Sequence, residues 1–222
     1  MSRVLTSDRR GAAQGSAERL VIFLHGYGAD GADLLGLADP LGPHLPGTAF
    51  TAPNAPERSA MNPMGFQWFP IPWIDGSSEE AAMQGVARAS DDLNAYLDEV
   101  MAAESVGPAE TALVGFSQGT MISLQVALRR PQPFAAVVGF SGRLLAPELL
   151  ADEITVRPPI LLIHGDQDDV VPPQSLPEAA QALQDNGLDV YAHVMKGTGH
   201  GIAPDGLSVA LAFLRERFGI DA

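Results

Sequence analysis

Ser117 lies in Gly115-Phe116-Ser117-Gln118-Gly119, after an apolar run and before a helix-like segment. These residue types at this spacing suit a nucleophile elbow. A serine on a sharp strand-to-helix turn crowds its backbone, and glycines two residues to either side relieve the crowding. Such a turn lifts the hydroxyl above a sheet edge, and the following helix aims its first amides at a developing oxyanion. The pattern is short and arises by chance in glycine-rich chains, and Gly is 23 of 222 residues here. The chemistry therefore requires three more groups: a base, an acid that orients the base, and a second amide donor.

The chain has five histidines: His25, His44, His164, His193 and His200. In doubly wound hydrolases the order is serine, acid, histidine, which leaves His193 and His200. His193 falls inside a strand-like stretch, so its side chain is expected on a sheet face. His200 lies in Gly197-Thr198-Gly199-His200-Gly201, where glycines would let the backbone carry an imidazole over the sheet edge. His200 is the expected general base. His25 and His164 each precede a glycine at a strand end and read as loop-bonding residues, and His44 reads as exposed.

Three acids, Asp166, Asp168 and Asp169, compete after the apolar run Ile160–Ile163. Asp166 suits the amides of its own turn, Asp169 suits solvent, and Asp168 sits where it could reach the histidine loop. Asp168 is the expected acid. The oxyanion donors are expected to be the backbone N–H groups of Gln118 and Tyr27, with Gly26 as runner-up to Tyr27. Gly139-Phe140-Ser141-Gly142 echoes the elbow, but Arg143 stands where the second glycine is needed. Ser141 reads as lining or underlying the site.

The elements that must position these groups alternate. Apolar runs at Leu20–Leu24, Thr48–Ala52, Ala112–Phe116, Phe134–Phe140, Ile160–Ile163 and Leu188–Met195 read as strands, with a possible edge strand at Val4–Thr6. Helical patterns cover Ala29–Leu41, residues 78–104, the stretch from Ser117 to about Arg130, a short piece near Pro147–Glu153, Pro172–Asp185 and Pro204–Phe218. This alternation predicts an α/β class, a doubly wound, mostly parallel sheet with helices on both faces. The suspect residues all fall at strand carboxyl ends, where such sheets bind ligands. Residues 57–77 are a long aromatic excursion holding both tryptophans. A loop of that length is functional or disordered. Its Phe66, Trp68 and Trp73, with Met121 from the helix after Ser117, are expected to wall a substrate pocket.

Bulk properties exclude several classes. The length of 222 residues fits one domain, 1–222. A net charge of −14 repels nucleic acid and anionic membranes. The lack of cysteine removes disulfides, thiolate metal sites and a cysteine nucleophile, and fits the cytoplasm. The first residues carry no apolar stretch of signal-peptide type, and no apolar run reaches the roughly 20 residues of a membrane span.

With these residues in place, the chain resembles the phospholipase/carboxylesterase family, which includes acyl-protein thioesterases. The resemblance rests on Leu24-His25-Gly26-Tyr27-Gly28-Ala29-Asp30, Pro53-Asn54-Ala55-Pro56, Trp68-Phe69, Gly115-Phe116-Ser117-Gln118-Gly119, His164-Gly165-Asp166-Gln167-Asp168 with Val171-Pro172, and Gly199-His200. Many relatives have Leu where Tyr27 stands, and Pro70–Ile74 intervene before Asp75 where relatives often place the Asp directly. The resemblance implies an α/β-hydrolase fold without a separate cap domain, a triad of Ser117, Asp168 and His200, oxyanion amides at Tyr27 and Gln118, and no cofactor or metal. It also implies a possible homodimer. The expected activity is hydrolysis of short- to medium-chain carboxylic esters. The alternatives are a lysophospholipase or acyl-protein thioesterase acting on long chains and, from another class, a non-catalytic binding protein on the same fold.

Overall fold

The structure, a computed structural model, describes residues 2–220. In chain order the elements are β1 (Ser7–Gly11), β2 (Arg19–Leu24), α1 (Gly31–Leu35), α2 (Ala38–Leu41), β3 (Thr48–Pro53), β4 (Glu57–Arg58), β5 (Phe66–Gln67), α3 (Pro72–Asp75), α4 (Glu79–Glu104) and β6 (Thr111–Phe116). There follow α5 (Gln118–Ala127), β7 (Ala136–Phe140), α6 (Leu150–Glu153), β8 (Ile160–Gly165), α7 (Ser175–Asp185), β9 (Val190–Met195) and α8 (Pro204–Arg217).

The main sheet runs β1-β3-β2-β6-β7-β8-β9. Only the edge strand β1 is antiparallel to its neighbour. Period-two alternation sorts the strand side chains into two cores. Leu20, Ile22, Leu24, Leu113, Val137, Ile160 and Leu162 face one way and pack with Leu93 and Leu97 of α4, Ile122 and Leu124 of α5, and Leu176 and Leu183 of α7. Val21, Phe23, Ala112, Val114, Val138, Phe140, Leu161 and Ile163 face the other way, with α1, α2 and α8. Helices thus cover both faces, which is the α/β-hydrolase arrangement, and continuous apolar strands are its sequence signature.

The chain passes from β2 outward to β3, then returns to β6 on the other side of β2. β2 and β6 are therefore the switch point, and they pair in parallel with Leu24 opposite Gly115. The loops after these two strands carry Tyr27 and Ser117.

Several boundaries differ from expectation. The edge strand is Ser7–Gly11 rather than Val4–Thr6, with Arg9 at its centre bound to Glu104 of α4 through two hydrogen bonds. The expected helix 29–41 is two short helices. Between them Leu37 N–H bonds Leu34 O and Asp39 N–H bonds Gly36 O, tight i to i+3 bonds that interrupt the α ladder at Gly36. The helix after Ser117 stops at Ala127. The 57–77 excursion is structured: β4 and β5 form a small antiparallel pair, and α3 follows, ended by Gly76 at φ +74°.

Candidate active site

The elbow is strained. Ser117 sits at φ 54° and ψ −116°, a region that non-glycine residues rarely occupy. Its N–H donates to Phe140 O of β7, and its carbonyl accepts from Thr120 and Met121 in the first turn of α5. The glycines are required by close approach. A Cβ on Gly119 would lie 1.7 Å from Leu24 O, and one on Gly115 would lie 2.5 Å from Thr120 N. α5 therefore starts pressed against the end of β2.

The Ser117 hydroxyl is 3.0 Å from His200 Nε2, and His200 Nδ1 is 2.8 Å from Asp168 Oδ2. A carboxylate accepts only, so Nδ1 carries a proton and Nε2 is the free base facing Ser117. Phe116 packs on the imidazole at 4.9 Å between ring centroids. Asp168 is buried, and its Oδ1 accepts from the Val170 and Val171 amides at 3.0 and 2.9 Å. Burial would raise its carboxyl, but the hydrogen bonds from His200, Val171 and Val170 outweigh burial and hold it below the ordinary carboxylate range.

The acid and histidine loops are laced together. Asp166 Oδ1 accepts from Gly197 N–H at 2.7 Å, and Gln167 N–H donates to Thr198 O at 2.9 Å. Asp166 thus serves the neighbouring loop and not its own turn as expected, while Asp169 is exposed. The glycine-rich sequence around His200 works differently from expectation too. Only Gly197 takes a positive φ, +70°, and Gly201 has open space around it. The critical glycine is Gly165, whose Cβ would strike Thr198 O at 2.2 Å and Gly199 O at 2.5 Å.

The amides of Tyr27 and Gln118 have no acceptor among the described residues, as an oxyanion site requires. The 25–28 loop lies directly against Ser117, since a Cβ on Gly26 would be 3.3 Å from Ser117 Cβ. The loop is held from two sides. Buried His25 donates from Nδ1 to Gly26 O and accepts at Nε2 from Ala55 N–H, so it is neutral, and burial lowers its pKa. Tyr27 OH donates to Asp75 Oδ2 at 3.2 Å, and that carboxylate also accepts from Ile71 N–H and Ser77 N–H.

The aromatic excursion divides differently from expectation. Trp68 is wholly buried, with its indole N–H bonded to His25 O and its ring against the His25 ring. It is a core residue beneath the site and has no surface to offer a substrate. Met121 is buried in the same core cluster, which likewise removes it from an open pocket wall. Phe66 is half-buried, its backbone laddered to Gly28 and Ala29, with Arg58 over its ring. Trp73 is 58% exposed and stands at the surface.

One contact was not anticipated. The Gln118 side chain bonds the backbone of Trp68 and Phe69. His164, also buried, donates from Nε2 to Val171 O at 2.9 Å and lies 3.2 Å from Asp168 Oδ2, so the acid sits between two imidazoles. Its bond to Val171 O is the loop-bonding role expected of a histidine directly before a glycine at a strand end. Ser141 is wholly buried at φ 48°, its hydroxyl unpartnered among the described residues, and His193 pairs with Asp205 on α8. Among the described residues no three His, Asp or Glu side chains converge as metal ligands would.

The model of the phospholipase/carboxylesterase family matches residues 11–217. The chain belongs to that family. It is 45% identical to the structure of an esterase, PE8, with a TM-score of 0.91 over 96% of this chain and 99% of that one. The esterase YpfH of Escherichia coli is 28% identical over 90% of this chain and 83% of its own. Acyl-protein thioesterase 1 of Saccharomyces cerevisiae is 30% identical over 90% of this chain and 93% of its own. The family member described here is accordingly a hydrolase of the esterase and thioesterase kind. No helix among its described residues is long and apolar enough to cross a membrane.

Proposed function

We propose that the chain is a serine carboxylesterase acting on short- to medium-chain carboxylic esters through an acyl-serine intermediate. The observation that carries this reading is the chain of contacts Ser117 Oγ to His200 Nε2 at 3.0 Å and His200 Nδ1 to Asp168 Oδ2 at 2.8 Å, beside two unengaged amides. His200 Nε2 takes the Ser117 proton as Oγ attacks the ester carbonyl. The Tyr27 and Gln118 N–H groups hold the oxyanion. Asp168 fixes the tautomer and stabilises the imidazolium without taking its proton. The alcohol leaves with the proton from Nε2. Water, deprotonated at the same atom, then releases the acid and restores Ser117. No cofactor is needed for any step.

A second reading, hydrolysis of long-chain acyl thioesters or lysophospholipids, draws support from the thioesterase relatives. The charge of −14 favours soluble esters over anionic membranes. Cleavage of p-nitrophenyl esters from acetate to palmitate, alongside a palmitoyl thioester, separates the two. A rate maximum at butyrate to octanoate supports the first reading, and a maximum at palmitate supports the second. Labelling of Ser117 by a fluorophosphonate tests the serine mechanism itself, and folded protein that resists labelling would leave only a binding role. The absence of cysteine supports a cytoplasmic location, and the family likeness supports a homodimer, which light scattering tests.

A further inference from the structure

Among the described residues Arg3, Arg9, Arg10, Arg19, Arg88, Arg129, Arg130 and Arg217 each have a carboxylate partner. Arg143 has none among the described residues. Its guanidinium instead lies over the exposed ring of Trp73, 5.2 Å from the centroid.

Both partners are rooted at the site. Arg143 follows Gly142, where a Cβ would lie 3.1 Å from Ser117 O and 2.4 Å from Thr120 Cβ. Trp73 stands two residues before Asp75, which holds the Tyr27 hydroxyl. One root follows β7, and the other comes from the excursion after β3. In the sheet order β3-β2-β6-β7 the contact therefore spans the carboxyl ends of β2 and β6, where Tyr27 and Ser117 sit.

We propose that Arg143, held over Trp73, is a subsite for an anionic group on the substrate, so that the preferred esters carry a carboxylate close to the scissile carbonyl. This rests on the serine-esterase reading and narrows its substrate class. The stacked ring engages one face of the guanidinium and leaves its in-plane N–H groups free for a carboxylate, which they match in pairs. On a chain of charge −14 an anionic ester meets long-range repulsion, and a cation without a carboxylate partner at the mouth offsets that repulsion locally.

The probes are p-nitrophenyl butyrate, the mono-p-nitrophenyl ester of glutaric acid with its carboxylate on the acyl side, and the butyrate ester of 4-hydroxybenzoate with its carboxylate on the alcohol side. For Arg143→Gln, kcat/KM on one of the anionic esters should fall about 10-fold relative to wild type, the scale of one charge-assisted pair, while neutral butyrate stays within about twofold. The side that responds identifies the end of the ester that Arg143 reads. If the anionic-to-neutral ratio is unchanged for both anionic probes, or if all three rates fall together, the subsite is overturned. Ser117→Ala is the separate control: hydrolysis surviving in that variant sinks the serine mechanism, whereas an unchanged ratio in Arg143→Gln sinks only the subsite.

Discussion

Gln118 Oε1 accepts the Trp68 N–H at 2.9 Å, and Gln118 Nε2 returns to Phe69 O at 2.7 Å. One residue thus keeps its backbone amide unengaged beside Ser117 and clamps the aromatic excursion with its side chain. All four groups are buried. Gln118→Ala keeps the amide but strands a donor and an acceptor, each costing about 1–3 kcal/mol. The expected result is a melting temperature lower by about 5 °C or more, with reduced kcat/KM because the 68–69 strip also supports His25. Differential scanning calorimetry with ester kinetics checks both. An unchanged Tm would show that the clamp is energetically idle.

Asp168→Asn should cost kcat on the order of 10,000-fold with the fold intact. Oδ1 faces two backbone donors, Val170 and Val171, so the asparagine oxygen belongs there. Its NH2 then points at His200 Nδ1, which must become an acceptor. That moves the imidazole proton to Nε2, where it cannot receive the Ser117 proton. Steady-state kinetics with circular dichroism is the check, and a loss under 100-fold would mean that tautomer control is not the role of Asp168.

His25 makes stability depend on pH. Its folded pKa lies below the ordinary 6.5 because burial penalises the imidazolium. Below pH 6.5 the unfolded chain binds a proton that the folded chain refuses. Its contribution is therefore full above the unfolded pKa and is lost as pH falls from 6.5 toward the folded value, with a slope of at most about 1.4 kcal/mol per pH unit. Urea unfolding between pH 7.5 and 5 should show this slope in wild type and a shallower one in His25→Gln. Parallel slopes would place the acid sensitivity elsewhere.

Gly119→Ala should abolish folding or activity, because the added methyl would lie 1.7 Å from Leu24 O, a backbone atom at the carboxyl end of the interior strand β2. Relief requires moving α5 off β2 and displacing Ser117. Gly201→Ala, with nothing within 4 Å of its Cβ, should change stability by no more than about 0.5 kcal/mol. Soluble yield and Tm of the pair decide the matter, and equal behaviour would contradict the packing of α5 on β2.

The sequence alone determined the alternating architecture, the elbow at Ser117 and the loops that converge on it. These follow from local physics: apolar runs demand a two-sided burial, and Gly115 and Gly119 flank a turn that only small neighbours permit. Tertiary structure decided what each loop residue does with its side chain. Trp68 and Trp73 are five residues apart and equally aromatic, yet one is sealed under His25 and the other carries Arg143 at the surface. Asp166 and Asp168 both bind the 197–200 loop, yet exposed Asp166 takes the Gly197 amide and buried Asp168 takes the His200 imidazole. The side chain of Gln118 and the imidazole of His164 find their partners through packing across the sheet edge and within one loop's fold. Period and composition report the face a residue presents, whereas the partner it meets depends on how separate loops close over one another.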